Sequence, residues 1–489
     1  MKLYSLIILL FFSSFSFSQA EVSLMYEELP EDSTPVHLRF HSSFRPFLAL
    51  PNKFEPKQIL SYGDKSKFIP KGNLSPIFDL TYQANHKTAT RTGFGVSFQS
   101  RELGKWFYRF SAIQGTGNSS QNARPKALLF DSIKNNGYVY TDIRGRVSYS
   151  PNHIFNFQAG IDNNFIGEGN RSMLLGDYGI PYPFAKIRTN FWRLEYNVLY
   201  QSFRETAEGQ NWKSKFSTSH LISYNVFKWL NVGVFENIIF SPQDTNLNRG
   251  FDAEYLNPVI FYRPQEYSLG SSDNSLLGLQ LAAKYKGHTL YGQFVLDDFI
   301  LAEYRAGTNW WGNKYGGQAG VKGRFKYDDK RYFYRLETNF ARPYTYSHTS
   351  SDQNYANQGE VISHPLGANF IEFLGEVKVQ KNKWVVKGFL SYYMKGENKI
   401  DEDGLVINYG GDIYHPYNDR PFEYGVITGQ GVKVNYTHLM LGAEYLVSES
   451  NNLKFFIENH FRSNTLQTNT NYQFFIGLRS CLWNDYRNY

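Results

Sequence analysis

The sequence predicts an all-β fold, a transmembrane antiparallel up-and-down β-barrel of about 18 strands with long extracellular loops. Three observations lead to this fold class: stretches of alternating apolar and polar residues, an aromatic-rich but polar composition, and an N-terminal export signal. Residues 155–162 and 192–201 are two such stretches. Because a strand repeats every two residues, each stretch has one apolar and one polar face. In a membrane barrel these faces meet lipid and lumen, respectively.

The composition fits a barrel better than soluble domains or helical membrane spans. The 489 residues would suffice for two or three soluble domains, but 18% of them are aromatic, with 37 Tyr and 41 Phe. The mean hydropathy of -0.46 is nonetheless too polar for helical spans. Tyr and Phe are expected on the lipid face and in interfacial girdles, and polar residues in the lumen and the loops.

Both ends of the chain carry signals of export and membrane insertion. A lysine, the apolar run 3–12 and a Ser-rich stretch ending at Ala20 have the order of a secretion signal. We therefore expect residues 1–20 to be a signal peptide and the protein to reside in the cell outer membrane. Residues 472–482 alternate cleanly before the chain stops at Tyr489, as in the terminal strand of other outer-membrane barrels. This pattern predicts the barrel-assembly machinery as a partner during biogenesis.

The rest of the chain divides into two parts. Residues 21–75 are rich in Pro, Ser, Lys and Glu, and we interpret them as an N-terminal segment on the periplasmic side or in the barrel mouth. Residues 76–489 form the predicted barrel. The single cysteine, Cys481, excludes an intramolecular disulfide and a multi-cysteine metal site. The formal net charge of +7 is scattered, so it predicts a mild preference for anionic partners and no nucleic-acid binding.

Short polar turns alternate with long connections along the barrel region. Tight turns favour Gly, Asn and Asp because these residues tolerate positive φ or form Asx hydrogen bonds. Short periplasmic turns and long extracellular loops are typical of outer-membrane barrels, and counting them gives roughly 16 to 18 strands. The predicted turns are residues 102–104, 150–152, 286–287, 328–330, 381–382 and 451–452, and the predicted loops are residues 114–137, 163–183, 204–213, 241–253, 299–314, 342–368 and 395–433.

One loop, residues 166–177, stands out by its glycines and charges. Two glycines allow a tight backbone, Arg171 offers a planar fork for acidic groups, and Glu168 and Asp177 are candidates to orient it. The loop lacks the Gly-x-x-x-x-Gly-Lys-Ser/Thr pattern of a phosphate loop. Two interpretations stay open: a loop folded into the barrel with Arg171 held by carboxylates, or a direct ligand contact.

Within and around this loop the sequence resembles a known family. The pattern Gly-x-Gly-x-Arg-Ser-x-Leu-Leu-x-Asp of residues 167–177, followed by Pro181 and Pro183-Phe184, resembles the capsule-assembly Wzi-type outer-membrane barrels and the gliding-motility-associated RemB-type proteins. The resemblance implies an eighteen-stranded barrel, an extracellular helical bundle and a surface lectin that holds capsular polysaccharide. The loops of this chain show no convincing amphipathic helix. Further matching stretches are residues 41–46, 257–264, 310–316 and 341–348.

Aromatic and planar polar residues in the loops fit glycan binding. Sugars present C–H faces that stack on aromatic rings and hydroxyls that need planar polar partners. The alternative is an interfacial girdle, in which Trp and Tyr are enriched because they are amphipathic. The candidate ligand-binding residues are Tyr304, Arg305, Trp310, Trp311 and Asn313 of one outer loop, with Glu168, Arg171 and Asp177 of the glycine-rich loop.

The sequence offers little for catalysis. Ser219 and His220 are adjacent, so in a strand they point to opposite faces. His438 and Glu444 share a face but lie about 20 Å apart along a strand. No His or Cys spacing supports zinc, and we expect neither an enzyme nor a metal nor a cofactor.

These observations lead to one functional expectation and one main alternative. We expect the barrel to act in surface polysaccharide attachment or assembly, of capsule or exopolysaccharide, with a link to gliding motility as one version. The expected partners are surface polysaccharide, outer-membrane lipid, and gliding or surface adhesin proteins. The alternative is a diffusion channel or substrate-specific porin, because barrels of this size can leave an aqueous lumen. A barrel-embedded hydrolase has the least support.

Overall fold

The computed structural model describes most of the chain from residue 72 onward and three short pieces before it. The predicted signal peptide, apart from Ala20, and most of the predicted N-terminal segment lie outside the described residues. The described residues are 20–23, 41–45, 47–50, 72–84, 88–100, 105–118, 124–133, 137–205, 213–242, 250, 253–257, 273–448, 452–483 and 486.

Eighteen strands form a closed antiparallel barrel, which confirms the predicted fold class and strand number. Each strand pairs with its neighbours in chain order, and the last closes on the first, where Leu478 pairs with Leu80. A shorter strand, Leu129–Ile133, belongs to the same sheet, pairs with residues 137–141 of one wall strand and is not counted among the eighteen. The wall strands are β1 Gly72–Ala84, β2 Ala89–Ser100, β3 Trp106–Gly117, β4 Gly137–Tyr149, β5 Phe155–Asp162, β6 Tyr182–Phe191, β7 Leu194–Glu205, β8 Lys213–Asn225, β9 Leu230–Phe240, β10 Asn274–Tyr285, β11 His288–Asp298, β12 Lys314–Tyr327, β13 Lys330–Ala341, β14 Phe370–Lys381, β15 Trp384–Glu397, β16 Val432–Ser448, β17 Leu453–Asn464 and β18 Gln467–Ser480.

The two faces of the wall differ in character. On β13 the outward-facing Leu336 is 60% exposed, whereas its neighbours Arg335 and Glu337 face the lumen and are buried. An exposed apolar band of this kind is unfavourable in water and favourable against lipid, so the wall has the surface of a membrane barrel. The period-2 alternation of the sequence therefore predicts the wall correctly.

The connections differ in length at the two ends of the barrel. At the short-turn end the hairpins are tight, and Lys286, Asp328, Asn382 and Asn452 adopt positive φ in these turns. At the long-loop end two connections, 85–88 and 465–466, are also short. The others at that end are the long loops 118–136, 163–181, 206–212, 241–273, 299–313, 342–369 and 398–431.

Helical structure is sparse among the described residues. One α-helix, α1, spans Leu301–Ala306. Within the described part of the chain, no helix combines the length and apolarity needed to cross a membrane. The helical bundle implied by the family resemblance does not occur in these ranges either. The loops contain instead the 3-10 helices Ala253–Leu256, Ser351–Gln353 and Tyr417–Asp419, and two minimal hairpins, Ala356–Asn357 with Glu360–Val361 and Lys399–Ile400 with Val406–Ile407.

Much of the lumen is filled by an apolar core, which the sequence did not predict. The lumenal loop, residues 163–181, folds into the barrel and buries Met173, Leu174 and Leu175. These residues pack with Tyr346 of loop 342–369. The predicted polar lining is correct for much of the wall and wrong for this sector. The inward-facing wall residues of the core include Leu199, Phe203, Leu221, Phe235, Ile239, Leu276, Val295 and Phe370.

Candidate functional site

The backbone of the lumenal loop is tied to the N-terminal segment. Phe165–Ile166 pairs with Phe44–Arg45 as a two-stranded sheet, and the Gly167 N–H donates to the Ser43 carbonyl at 2.7 Å. Gly167 has a φ of 128°, a conformation that side-chain-bearing residues rarely adopt. The Gln293 amide occupies the place where a Cβ would point. Gly167 is therefore required by the backbone path of the loop into the barrel.

Glu168 lies in an ionic cluster that joins four segments. Its carboxylate is 2.9 Å from Nζ of Lys322 and 3.4 Å from Nζ of Lys284, and the Ser42 hydroxyl donates to it. Burial alone would raise the pKa of the Glu168 carboxyl. The two ammonium groups and the hydroxyl outweigh burial and hold this pKa well below its usual range. Glu168 thus connects the lumenal loop to β10, β12 and the N-terminal segment.

Arg171 also lies in the lumen, among carboxylates of β13 and β14. Its Nε is 3.9 Å from Oε2 of Glu372, and its backbone N–H donates to Oε1 of Glu337 at 3.2 Å. Its carbonyl accepts from the Gln318 amide at 2.9 Å. The side chain is buried. These contacts match the first interpretation of the sequence, a loop folded into the barrel with its arginine held by carboxylates.

Asp177 is the point where the C-terminal tail meets the lumenal loop. The Tyr486 hydroxyl donates to the Asp177 carboxylate, and the Tyr486 ring lies 5.7 Å from that of Tyr178. The last strand ends at Ser480. The alternation of residues 472–482 puts Leu482 on the same face as Tyr472 and Leu478, which is the outward face, but Leu482 is buried among residues that face the lumen. That assignment is wrong because the chain turns into the barrel after β18.

The other predicted residues lie at the long-loop end, where three loops meet around Trp311. The Trp311 Nε1 donates to Oε2 of Glu423 at 2.7 Å, and the guanidinium carbon of Arg420 lies 3.9 Å from the indole centroid. The rings of Tyr417 and Tyr344 are 4.9 Å and 6.0 Å away. We call these five residues the clasp. Because its members come from the loops before β12, β14 and β16, the clasp joins these loops.

Trp310 and Asn313 flank the clasp in different ways. Trp310 is partly exposed, and its ring centroid lies 5.6 Å from that of Trp311. The Trp310 indole also covers Gly312, so a side chain at position 312 would collide with it. Asn313 is buried, and its side-chain oxygen accepts from the Ile300 N–H at 2.7 Å. Asn313 shapes the loop, whereas Trp310 keeps part of its ring at the surface.

Tyr304 and Arg305 lie on α1 at the outer rim of the barrel. Tyr304 is 56% exposed, and its ring packs 5.6 Å from that of Phe299. Phe299 in turn lies 6.2 Å from Tyr315, which faces outward at the start of β12. Arg305 is exposed. For Tyr304 this arrangement corresponds to the interfacial girdle, the alternative that the sequence left open.

The predicted residues thus form two separate groups, one in the lumen and one at the long-loop end. Sequence reasoning missed the partners that hold both groups. One local signal could have indicated the lumenal partners: charged residues recur at every second position of the strands, and these positions face the lumen. For the loop partners no such signal exists. The missed residues are Lys284, Lys322, Glu337 and Glu372 in the lumen and Tyr417, Arg420 and Glu423 in the loops.

The residues considered for catalysis remain apart. The Ser219 hydroxyl donates to Gln201 in the lumen at 2.9 Å, whereas His220 faces outward and bonds the Tyr196 hydroxyl at 2.5 Å. Ser219 and His220 therefore point to opposite faces, as predicted. Across the described ranges, no group of three or more His, Cys, Asp and Glu residues is arranged to hold a metal ion.

Comparison with known proteins identifies the fold. No family model and no curated protein matches the chain. Wzi of Escherichia coli, an outer-membrane protein described as involved in group 1 capsule assembly and as a carbohydrate-binding β-barrel, is similar with a TM-score of 0.54 and 12% identity over 83% of each chain. OprD of Pseudomonas aeruginosa covers 84% of this chain and 95% of its own at 11% identity, with a TM-score of 0.44. The similarity to Wzi shows that this chain has an outer-membrane β-barrel fold.

Proposed function

We propose that this protein is an outer-membrane barrel with a closed lumen that binds polysaccharide at the cell surface, in the attachment or assembly of capsule or exopolysaccharide. The apolar core that fills much of the lumen is the observation that carries this proposal. The likeness in fold to a barrel described as carbohydrate-binding supports it. A link to gliding or to adhesin proteins stays a prediction from the sequence.

The lumenal loop and loop 342–369 meet inside the barrel. The Tyr346 hydroxyl donates to the Met173 carbonyl at 2.7 Å, and the Tyr355 hydroxyl donates to the Leu174 carbonyl at 2.5 Å. Both tyrosines are buried in the apolar core. A diffusion channel needs an aqueous path, and an apolar core in the lumen opposes the passage of hydrated solutes. The apolar core therefore favours a role of the long loops as a binding surface over a role as the rim of a channel.

The clasp turns three of these loops into one surface. The Gly425 N–H donates to the Thr308 carbonyl at 2.9 Å, and the Val426 N–H donates to the Asn309 carbonyl at 3.0 Å. This backbone pairing brings the exposed Tyr424 into the same surface as Trp310. Exposed rings on a fixed backbone suit sugar binding, because little conformational entropy is lost when they stack on a sugar face.

Two measurements on one preparation test this proposal. The purified barrel should bind the surface polysaccharide extracted from the cells that produce it, and it should pass little current in a planar bilayer. Replacing Trp310 and Tyr424 together by Ala should lower polysaccharide affinity at least about tenfold, which corresponds to about 1.4 kcal/mol. The matched control is Tyr285→Ala, since Tyr285 is 69% exposed at the opposite end of the barrel. Equal binding by the double variant and wild type would reject this surface.

A porin is the second candidate, and one observation favours it. A cavity remains between the lumenal loop and β1–β4, and charged residues such as Asp79, Arg91 and Arg144 form part of its lining. A continuous path through this side of the lumen would allow small ions to pass. Single-channel steps without polysaccharide binding would favour the porin and contradict the proposed function.

A further inference from the structure

The outward wall of β2–β5 carries an apolar groove of about 360 Å³. Gly145 lines the groove and faces outward, because its neighbours Arg144 and Arg146 are buried in the lumen, and the Phe110 ring lies where a side chain of residue 145 would be. Ala112 on β3 and Ala159 on β5 add two further small side chains, so the surface is recessed across three adjacent strands. The volume falls within the usual range of ligand sites, about 300–1,000 Å³.

We propose that this groove binds an acyl chain of a phospholipid whose phosphate lies at the short-turn end of the barrel. Bulky apolar side chains, among them Phe98, Phe110 and Ile143, line the groove beside the small residues. A flexible hydrocarbon chain matches an apolar recess, because it gains dispersion contacts that a flat lipid-facing wall does not provide. This inference goes beyond polysaccharide binding and does not depend on it.

The short-turn end of the groove has the features of a lipid headgroup region. Trp106 and Tyr149 form a ring pair with centroids 4.4 Å apart. This pair is the next outward-facing pair after Tyr108 and Val147, toward the short-turn end. Amphipathic rings of this kind favour the membrane–water interface. Lys105 precedes Trp106 and is exposed, so its ammonium is available at the rim for an anionic phosphate.

The size of the groove argues for a lipid rather than a second copy of the barrel. Thirteen residues line it, and several of them are backbone neighbours that face the lumen. A specific protein interface needs about 20–30 residues from each partner. A recess of this size is too small for such an interface, whereas it is sufficient for one acyl chain.

Native mass spectrometry of the barrel purified from its membrane in mild detergent tests the proposal. Wild type should retain one phospholipid per barrel. Ala112→Leu combined with Ala159→Leu should reduce the retained fraction at least fivefold, because the larger side chains fill the groove. The control is Ala283→Leu, on the outward face of β10, which should retain lipid as wild type does. Heat-modifiable migration and β-sheet circular dichroism verify that each variant is folded.

A second pair of variants separates the headgroup from the acyl chain. Lys105→Gln should reduce retention severalfold, whereas Lys383→Gln should leave it unchanged. Lys383 is a matched control because it is also exposed in a short turn. Its carbonyl accepts from the Leu446 N–H, as the Lys105 carbonyl accepts from the Ser150 N–H. The proposal is overturned if wild type carries no lipid, if the groove-filling variant keeps the same amount, or if the spectrum shows a dimer that this variant abolishes.

Discussion

The lumenal loop and the clasp are both formed by long connections, yet different forces hold them. In the lumenal loop, Glu168 and Arg171 are buried and bonded to charged groups of the wall. In the clasp, the ring of Trp311 and the cation of Arg420 meet at the edge of the solvent. The first region resembles the interior of a soluble protein, and the second resembles a surface held by ring contacts.

This difference determines how much stability each region should lose when one contact is removed. Charges in a medium of low dielectric constant interact strongly, and a buried charge left without its partner is costly. Ring and cation contacts near water contribute less, because solvent replaces part of each interaction. The lumenal loop should therefore be the part that closes the barrel, while the clasp adjusts the shape of the outer surface.

A charge introduced into the apolar core should have the largest effect on the closure of the barrel. Leu174→Asp introduces a carboxylate into a fully buried site, which costs several kcal/mol unless the loop leaves the core. We expect the lumenal loop to be displaced and single-channel conductance to rise well above that of wild type. The control, Leu405→Asp, changes a leucine that is 66% exposed in loop 398–431 and should leave conductance unchanged. A folded Leu174→Asp barrel with wild-type conductance would show that this core does not close the lumen.

Neutralising Glu168 should have the next largest effect. Glu168→Gln leaves the ammonium groups of Lys284 and Lys322 without their shared carboxylate, so the free energy of unfolding should fall by about 3 kcal/mol at neutral pH. The folded-state pKa of Glu168 is depressed, so its stabilisation is complete above the ordinary value of about 4.3 and is lost as the pH falls through the folded-state pKa. Denaturant unfolding in lipid vesicles should therefore give a constant difference from wild type at about pH 6–8 that shrinks in strong acid. A difference that grows in acid would contradict this assignment.

How much the sequence predicts depends on the distance over which each signal acts. The strands and their number follow from alternation, which is a local property with period two. A lumenal loop folded into the barrel was one of the two interpretations of its sequence, but the apolar core that it forms with the wall depends on packing between distant parts of the chain. Leu199 and Phe203 were the available hint, because they occupy inward positions of β7 between Asn197, Gln201 and Glu205. Apolar residues at positions that otherwise face water indicate that another segment covers them.

The candidate site was harder to predict because its residues are defined by their partners. From the sequence, Trp311 was a candidate to stack on a sugar. In the structure, however, its indole nitrogen donates a hydrogen bond to Glu423, and the Arg420 guanidinium lies over its ring. Both partners are more than a hundred positions away in the chain. Aromatic residues in a loop therefore predict a ring-rich region, but whether the rings face solvent depends on contacts that local sequence does not encode.

Removing the cation from the clasp should have the smallest effect of the three. Arg420→Ala eliminates a guanidinium 3.9 Å from the Trp311 ring and an ion pair with Glu423, an interaction worth about 1 kcal/mol at such a site. We expect limited proteolysis of loop 398–431 in the intact barrel to speed up severalfold, with conductance unchanged. The control is Arg305→Ala, an exposed arginine outside the clasp, which should not alter proteolysis. If Arg420→Ala instead opened the barrel to ions, the clasp would be part of the closure, and the division between a closed lumen and an adjustable outer surface would fail.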